Sequence, residues 1–125
     1  MSVDIRMGKD GILRAEFSGD LDSSVVEQIR REFTPYIEAS TPESPLKSIV
    51  TFYQLGKISF KTRRYMTELN QDSRYGAVAY IQPPRKARVL SQFIQKGSHR
   101  KNIQFFETEQ EAINWIHQFE EQLVF

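Results

Sequence analysis

Val3, Ile5 and Met7 alternate with the polar Asp4 and Arg6, the period-two pattern of a strand that buries one face. Gly8-Lys9-Asp10-Gly11 interrupts the pattern as a turn, after which Leu13, Ala15 and Phe17 alternate with Arg14 and Glu16. The short connection predicts an antiparallel pair. Ser18 and Gly19 are read as the end of the second strand. The period then changes: Val26, Ile29, Phe33 and Ile37 recur at helical spacing, with Asp20 or Asp22 placed to cap the helix start. Pro35 falls inside this pattern and predicts a kink or an early stop near Phe33.

Ser40 to Pro45 is a loop by composition. Leu46 to Leu55 is rich in β-branched and aromatic residues and predicts a strand covered on both faces. Ser59 can cap a second helix that carries Tyr65, Met66 and Leu69 inward, and Asn70 to Gly76 form its exit turn. Ala77 to Ile81 is another buried strand, stopped by Pro83 and Pro84. Pro84 also suits the first turn of a third helix, which points Ala87, Leu90, Phe93 and Ile94 to one side and ends at Gly97. Ile103, Phe105 and Phe106 mark a last strand. Thr108 and Glu111 then have the spacing of a capping box, in which each side chain satisfies a free backbone N–H. Ala112, Ile116, Phe119 and Leu123 follow on one helical face. The order β-β-α-β-α-β-α-β-α predicts an α/β domain spanning 1–125: about five strands in a mixed, largely parallel sheet, covered by about four helices.

Bulk properties narrow the function. At 125 residues with 39% hydrophobic content the chain is long enough for one folded core. Cysteine is absent, which removes disulfides, thiolate chemistry and cysteine-bound metal. Met1-Ser2-Val3-Asp4 lacks the basic patch and apolar run of a signal peptide, so the protein is read as cytoplasmic. The net charge of +1 conceals an asymmetry: Lys57 to Lys101 holds eleven Lys/Arg against Glu68 and Asp72, while both flanking regions are acidic. A basic middle can attract phosphate, lipid headgroups or an acidic protein surface, unless the charges spread over several faces.

The residues of catalysis are few. His117 sits on the last helix as a solvent-facing or helix-end residue, and His99 lies in the basic turn Lys96-Gly97-Ser98-His99-Arg100-Lys101. No nucleophile–base set, metal site or cofactor motif is read, so an enzyme is not expected. Gly56-Lys57-Ile58-Ser59 fails as a phosphate loop, because Thr51 stands where its first glycine belongs and Ile58 where a Ser or Thr should follow the lysine. The segment does join a strand to a helix start, where free N–H groups flanked by Lys57 and Lys61 can meet an anion; an ordinary capped helix is the favoured reading. Arg85, Lys86, Arg88, Lys96 and Arg100 make the third helix and the turn after it a second candidate, for an anionic lipid or an apolar small molecule. Nucleic acid is not expected, since Tyr80 is assigned to a strand and Phe93 to the core.

The element order resembles the SpoIIAA-like branch of the STAS domains, fold relatives of the CRAL-TRIO lipid-transfer domains. The matching stretches are Phe17-Ser18-Gly19-Asp20-Leu21-Asp22, the passage from Leu55 to Arg64, and Arg100-Lys101-Asn102-Ile103-Gln104-Phe105-Phe106, running on into Thr108 to Ile116. The resemblance implies a non-catalytic regulatory module with its functional surface at the start of the second helix, a protein partner, and a homodimer as one arrangement. In partner-switching members a serine there is phosphorylated. Here Ser59 stands about where the preceding Asp belongs and Phe60 about where the serine belongs, leaving Ser59 and Thr62 as candidate acceptors beside Lys57 and Lys61. The CRAL-TRIO relation implies instead an apolar ligand held against the sheet.

Overall fold

The computed structural model describes residues 2–122. Its elements are β1 (Ser2–Met7), β2 (Leu13–Leu21), α1 (Ser23–Glu38), β3 (Leu46–Ile58), α2 (Phe60–Gln71), β4 (Tyr75–Ile81), α3 (Arg85–Ser98), β5 (Ile103–Phe106) and α4 (Glu109–Gln122). They form one sheet in the order β1-β2-β3-β4-β5. β1 is antiparallel to β2, and every later pair is parallel. Because parallel crossovers share one hand, strands laid down in sequence order put all their connecting helices on the same face.

The alternation along the strands divides the core accordingly. Leu13, Ala15, Phe17, Val50, Phe52, Val78 and Tyr80 pack with Val26 and Ile29 of α1, Tyr65 of α2, and Leu90 and Ile94 of α3. On the opposite face Ile49, Ala77 and Ala79 pack with Ala112 and Ile116 of α4. That helix covers only part of the sheet. Beyond it Asp4, Arg6 and Glu16 form an open polar surface, tied by Arg6–Asp4 and Arg6–Glu16 ion pairs at 2.9 Å. Arg14 bridges this surface to α4 through Glu109 at 2.7 Å. β3 is covered on both faces only in its first half; Tyr53 is 51% exposed.

Several boundaries differ from expectation, each for an identifiable reason. α1 continues through Pro35 to Glu38, because Phe33 and Ile37, on either side of the proline, are both buried. Its cap is Asp22, whose carboxylate accepts the Ser24 N–H at 3.0 Å; the hydroxyl and N–H of Ser24 hold that carboxylate below its ordinary pKa. β2 does not stop at Gly19 but runs on to Leu21, with Gly19 at φ 76°. α3 passes through Gly97, which serves close packing: a Cβ there would lie 2.7 Å from Thr67 Cγ2 of α2. The helix is terminated by His99 at φ 59°, whose N–H donates to Gln95 O. Phe93 is not a core residue; it is 40% exposed, one position off the buried Leu90–Ile94 row. At α4, Thr108 Oγ1 accepts the Glu111 N–H at 3.2 Å, but the Glu111 carboxylate takes the Thr108 hydroxyl rather than a backbone donor. Leu123 lies outside the described residues.

Candidate functional site

The site begins with a disturbance in the sheet. β2 and β3 pair regularly as far as Ser18↔Tyr53, then shift register to Gly19↔Leu55 and again to Leu21↔Ile58. β3 thus carries extra residues, and Gln54 takes a left-handed φ of 48° to accommodate them. Such bulges bend a strand and re-aim its side chains. Here they extend β3 beyond the expected end at Leu55 and carry Gly56-Lys57-Ile58 across the head of α2. Asp20 Oδ1 accepts the Lys57 N–H at 2.8 Å and holds the bulged segment down. Gly56 has no Cβ because one would overlap the Asp20 carboxylate.

α2 is capped as expected: Ser59 Oγ accepts the Thr62 N–H at 3.1 Å, and the Ser59 N–H donates to Leu21 O at 2.9 Å. Thr62 is fully buried, and its hydroxyl donates to Leu21 O at 2.9 Å. Its hydroxyl therefore fastens α2 to the end of β2 and does not reach the surface as an acceptor. Ser59 is half-buried and its hydroxyl is engaged by Thr62 at 2.9 Å. Lys57 and Lys61 are exposed.

The surface beside this cap is a groove between the tail of β3, the first turns of α2 and the stripe of α3 that faces it. Gly56, Lys57 and Ile58 form one side, and Arg85, Lys86, Val89 and Phe93 the other. Arg63 spans the gap with its guanidinium 5.9 Å from the Phe60 ring centre and 5.5 Å from that of Phe93. Phe60, Val89 and Phe93 are 63%, 57% and 40% exposed. Lys57, Arg63, Arg85 and Lys86 meet no carboxylate within ion-pair distance among the described residues. Lys86 Nζ reaches only the Gly56 carbonyl, at 3.4 Å. Phe93 is also a wall of the adjoining cleft that holds Phe60, Arg64 and Lys96.

Part of the two sequence-derived sets is thereby united and part dispersed. Lys57, Arg85 and Lys86 share the groove, with Lys96 one step along α3. Arg88 faces away, donating to Pro83 O at 3.2 Å and stacking 5.1 Å from the Phe105 ring centre. Arg100 is structural: its guanidinium donates to Asn70 O at 2.8 Å, Asp72 O at 3.2 Å and Tyr75 O at 2.6 Å, and burial lowers its pKa. The basic residues of α3 and the turn after it therefore do not make one lipid-facing surface. Against the sheet, the void among Phe17, Phe52, Tyr80 and their neighbours measures ≈ 30 Å³, far below the roughly 300 Å³ or more of a small-molecule pocket. Among the described residues no three His, Asp or Glu side chains converge as a metal site, and no helix is long and apolar enough to cross a membrane.

Arg63, Val89 and Phe93 of the groove, and Phe60 of the adjoining cleft, are not singled out as site candidates in the sequence. Val89 and Phe93 form an i, i+4 row directly beside the Leu90–Ile94 row. A helix with two adjacent apolar rows has more apolar width than one sheet contact needs, and that surplus was the available signal.

A bulged parallel strand feeding the capped head of a helix, in a β1-to-β5 sheet with one leading antiparallel strand, defines a SpoIIAA-like α/β domain. A protein of the DUF3478 family from Shewanella loihica PV-4, described as having a SpoIIAA-like fold, matches with a TM-score of 0.65 at 15% identity over 92% of each chain. The anti-sigma factor antagonist SpoIIAA in its unphosphorylated form matches with a TM-score of 0.62 at 20% identity, over 93% of this chain and 98% of that one. The chain belongs to the DUF7793 family, a domain of unknown function whose model matches residues 7–120. No curated protein matches it.

Proposed function

We propose that this chain is a non-catalytic STAS-type regulatory module that binds a protein partner through the groove between β3, α2 and α3, and that the partner presents an acidic segment bearing apolar side chains. One observation carries the reading. Of the large hydrophobics that the described residues expose, Val89 and Phe93 line the same depression as four cations without carboxylate partners, and a third, Phe60, lines the adjoining cleft against Arg63. Clustered exposed apolar surface marks interaction sites, and aromatic and Arg side chains dominate their energetics. Unpaired cations around it favour an acidic partner and speed its approach. A bulky ring at position 60 also has no hydroxyl to modify, so this contact depends on partner supply rather than on phosphorylation at that position.

Affinity purification from the host, with cross-linking at exposed lysines, tests the reading. The wild type should retain a partner that Phe60→Ala with Phe93→Asp releases, while both forms remain folded by circular dichroism. Retention of the same partner by the double variant would remove the groove as its site. Ser59→Glu is a poorer probe, because it also deletes the α2 cap.

A further inference from the structure

β1 is one of the two outer strands of the sheet, the other being β5, and among the described residues no strand lies beyond it. The free backbone N–H and C=O groups of such an edge are a template for another strand. What distinguishes this edge is its order of side chains. Val3-Asp4-Ile5-Arg6-Met7 is complementary to itself when reversed.

We propose that β1 pairs antiparallel with β1 of a second copy of this chain, about a two-fold axis through Ile5, joining two five-stranded sheets into one of ten strands. In this register Asp4 of each copy stands opposite Arg6 of the other, Val3 opposite Met7, and Ile5 opposite Ile5. Both charged pairs fall on the open polar face, where the Asp4 and Arg6 side chains are 63% and 53% exposed. The apolar pairs fall on the helix-covered face, where Val3 and Ile5 already pack against the core. Met7, 41% exposed in the single chain, gains an apolar neighbour in Val3 of the second copy. Centring the pairing on Asp4 or Arg6 would instead set like charges opposite each other. A one-residue slip would turn the helix layer of one copy toward the open face of the other. The two-fold contact is self-limiting and closes at two copies. It leaves the groove between α2 and α3 free, and does not depend on it.

Sedimentation velocity of the full chain over rising concentration should show a monomer–dimer equilibrium. Asp4→Arg and Arg6→Asp, each alone, should weaken it by about tenfold or more, since each turns attraction into repulsion at both positions. Mixing the two variants should restore dimers, because opposite charges again meet across the axis. The chain contains no cysteine, so Ile5→Cys offers a second readout. Residues directly opposite in antiparallel strands lie within disulfide reach, and oxidation should yield a covalent dimer that Tyr53→Cys does not give. A wild type that stays monomeric, or a dimer indifferent to both charge reversals and uncoupled from the Ile5→Cys cross-link, would overturn the proposal.

Discussion

Asn70 and Asn102 illustrate how single residues hold the base of this domain together. Their amides exchange hydrogen bonds at 3.0 and 2.7 Å, and the remaining donors reach Ser98 Oγ at 2.8 Å and Gly76 O at 2.7 Å. Both are almost wholly buried, so the end of α2 and the starts of β4 and β5 are joined by a satisfied polar cluster, with Arg100 fastening the neighbouring carbonyls. Replacing Asn102 leaves the Asn70 amide oxygen and one of its N–H donors unpaired in a buried site, with only the bond to Ser98 Oγ kept. Asn102→Leu is therefore expected to cost about 1–3 kcal/mol in urea denaturation. Tyr75 supplies a pH test nearby. Burial pushes its phenol up to about 12 from 10.0, and Tyr80 shifts in the same direction. Between those two values the unfolded chain has released the Tyr75 proton and the folded chain has not. Stability is thus fully present below pH 10, falls as pH rises, and is lost through pH 12. Unfolding midpoints at rising alkaline pH, with tyrosinate absorbance followed in parallel, should show these tyrosines titrating together with unfolding.

At the scale of elements, helix boundaries were governed by burial where local signals argued otherwise. Pro35 denies the Arg31 carbonyl its helical donor, yet burial of Phe33 and Ile37 carries α1 onward. Pro35→Ala should restore that donor at some cost in unfolded-state entropy, for a net gain of about 1–2 kcal/mol measurable as a higher melting temperature. Gly97 shows the opposite case, a residue read as a terminator that the fold uses for contact. Because Thr67 leaves no room for a Cβ, Gly97→Val should separate α2 from α3 and lower the melting temperature. The same change would widen the groove at Phe93, so it should weaken partner capture as well. The caps at Ser59 and Thr108 were legible because each requires only residues within one turn.

For the whole molecule, the distribution of charge matters more than its sum. The basic segment is divided by the fold: Arg100 goes inward, Arg88 to the Phe105 flank, and Lys57, Arg63, Arg85 and Lys86 to one groove. Paired charges such as Arg6–Asp4 on the open sheet face are exposed and contribute little to stability. Unpaired ones can act across a Debye length of about 8 Å at physiological salt. Lys57→Glu with Lys86→Glu is accordingly expected to leave the melting temperature nearly unchanged. It should slow partner association and remove most of its salt dependence, as surface plasmon resonance at 50 and 300 mM salt (about a twofold range in Debye length) would show.

The alternation of Leu13, Ala15 and Phe17, the helical rows of α1 and α4, and the turn residues between them determined the order and kind of the elements, because these patterns depend only on neighbours in the chain. They also sufficed for the α/β class, since parallel strands need helical crossovers. The groove was beyond their reach. Its walls lie at positions 56–63 and 85–93, brought together by the β3 bulges and the α2–α3 packing. Whether Phe93 is buried depends on which row of α3 faces the sheet, and whether Arg100 is a ligand or a brace depends on which carbonyls surround it. Both are properties of distant residues in space, so only the tertiary structure could decide them.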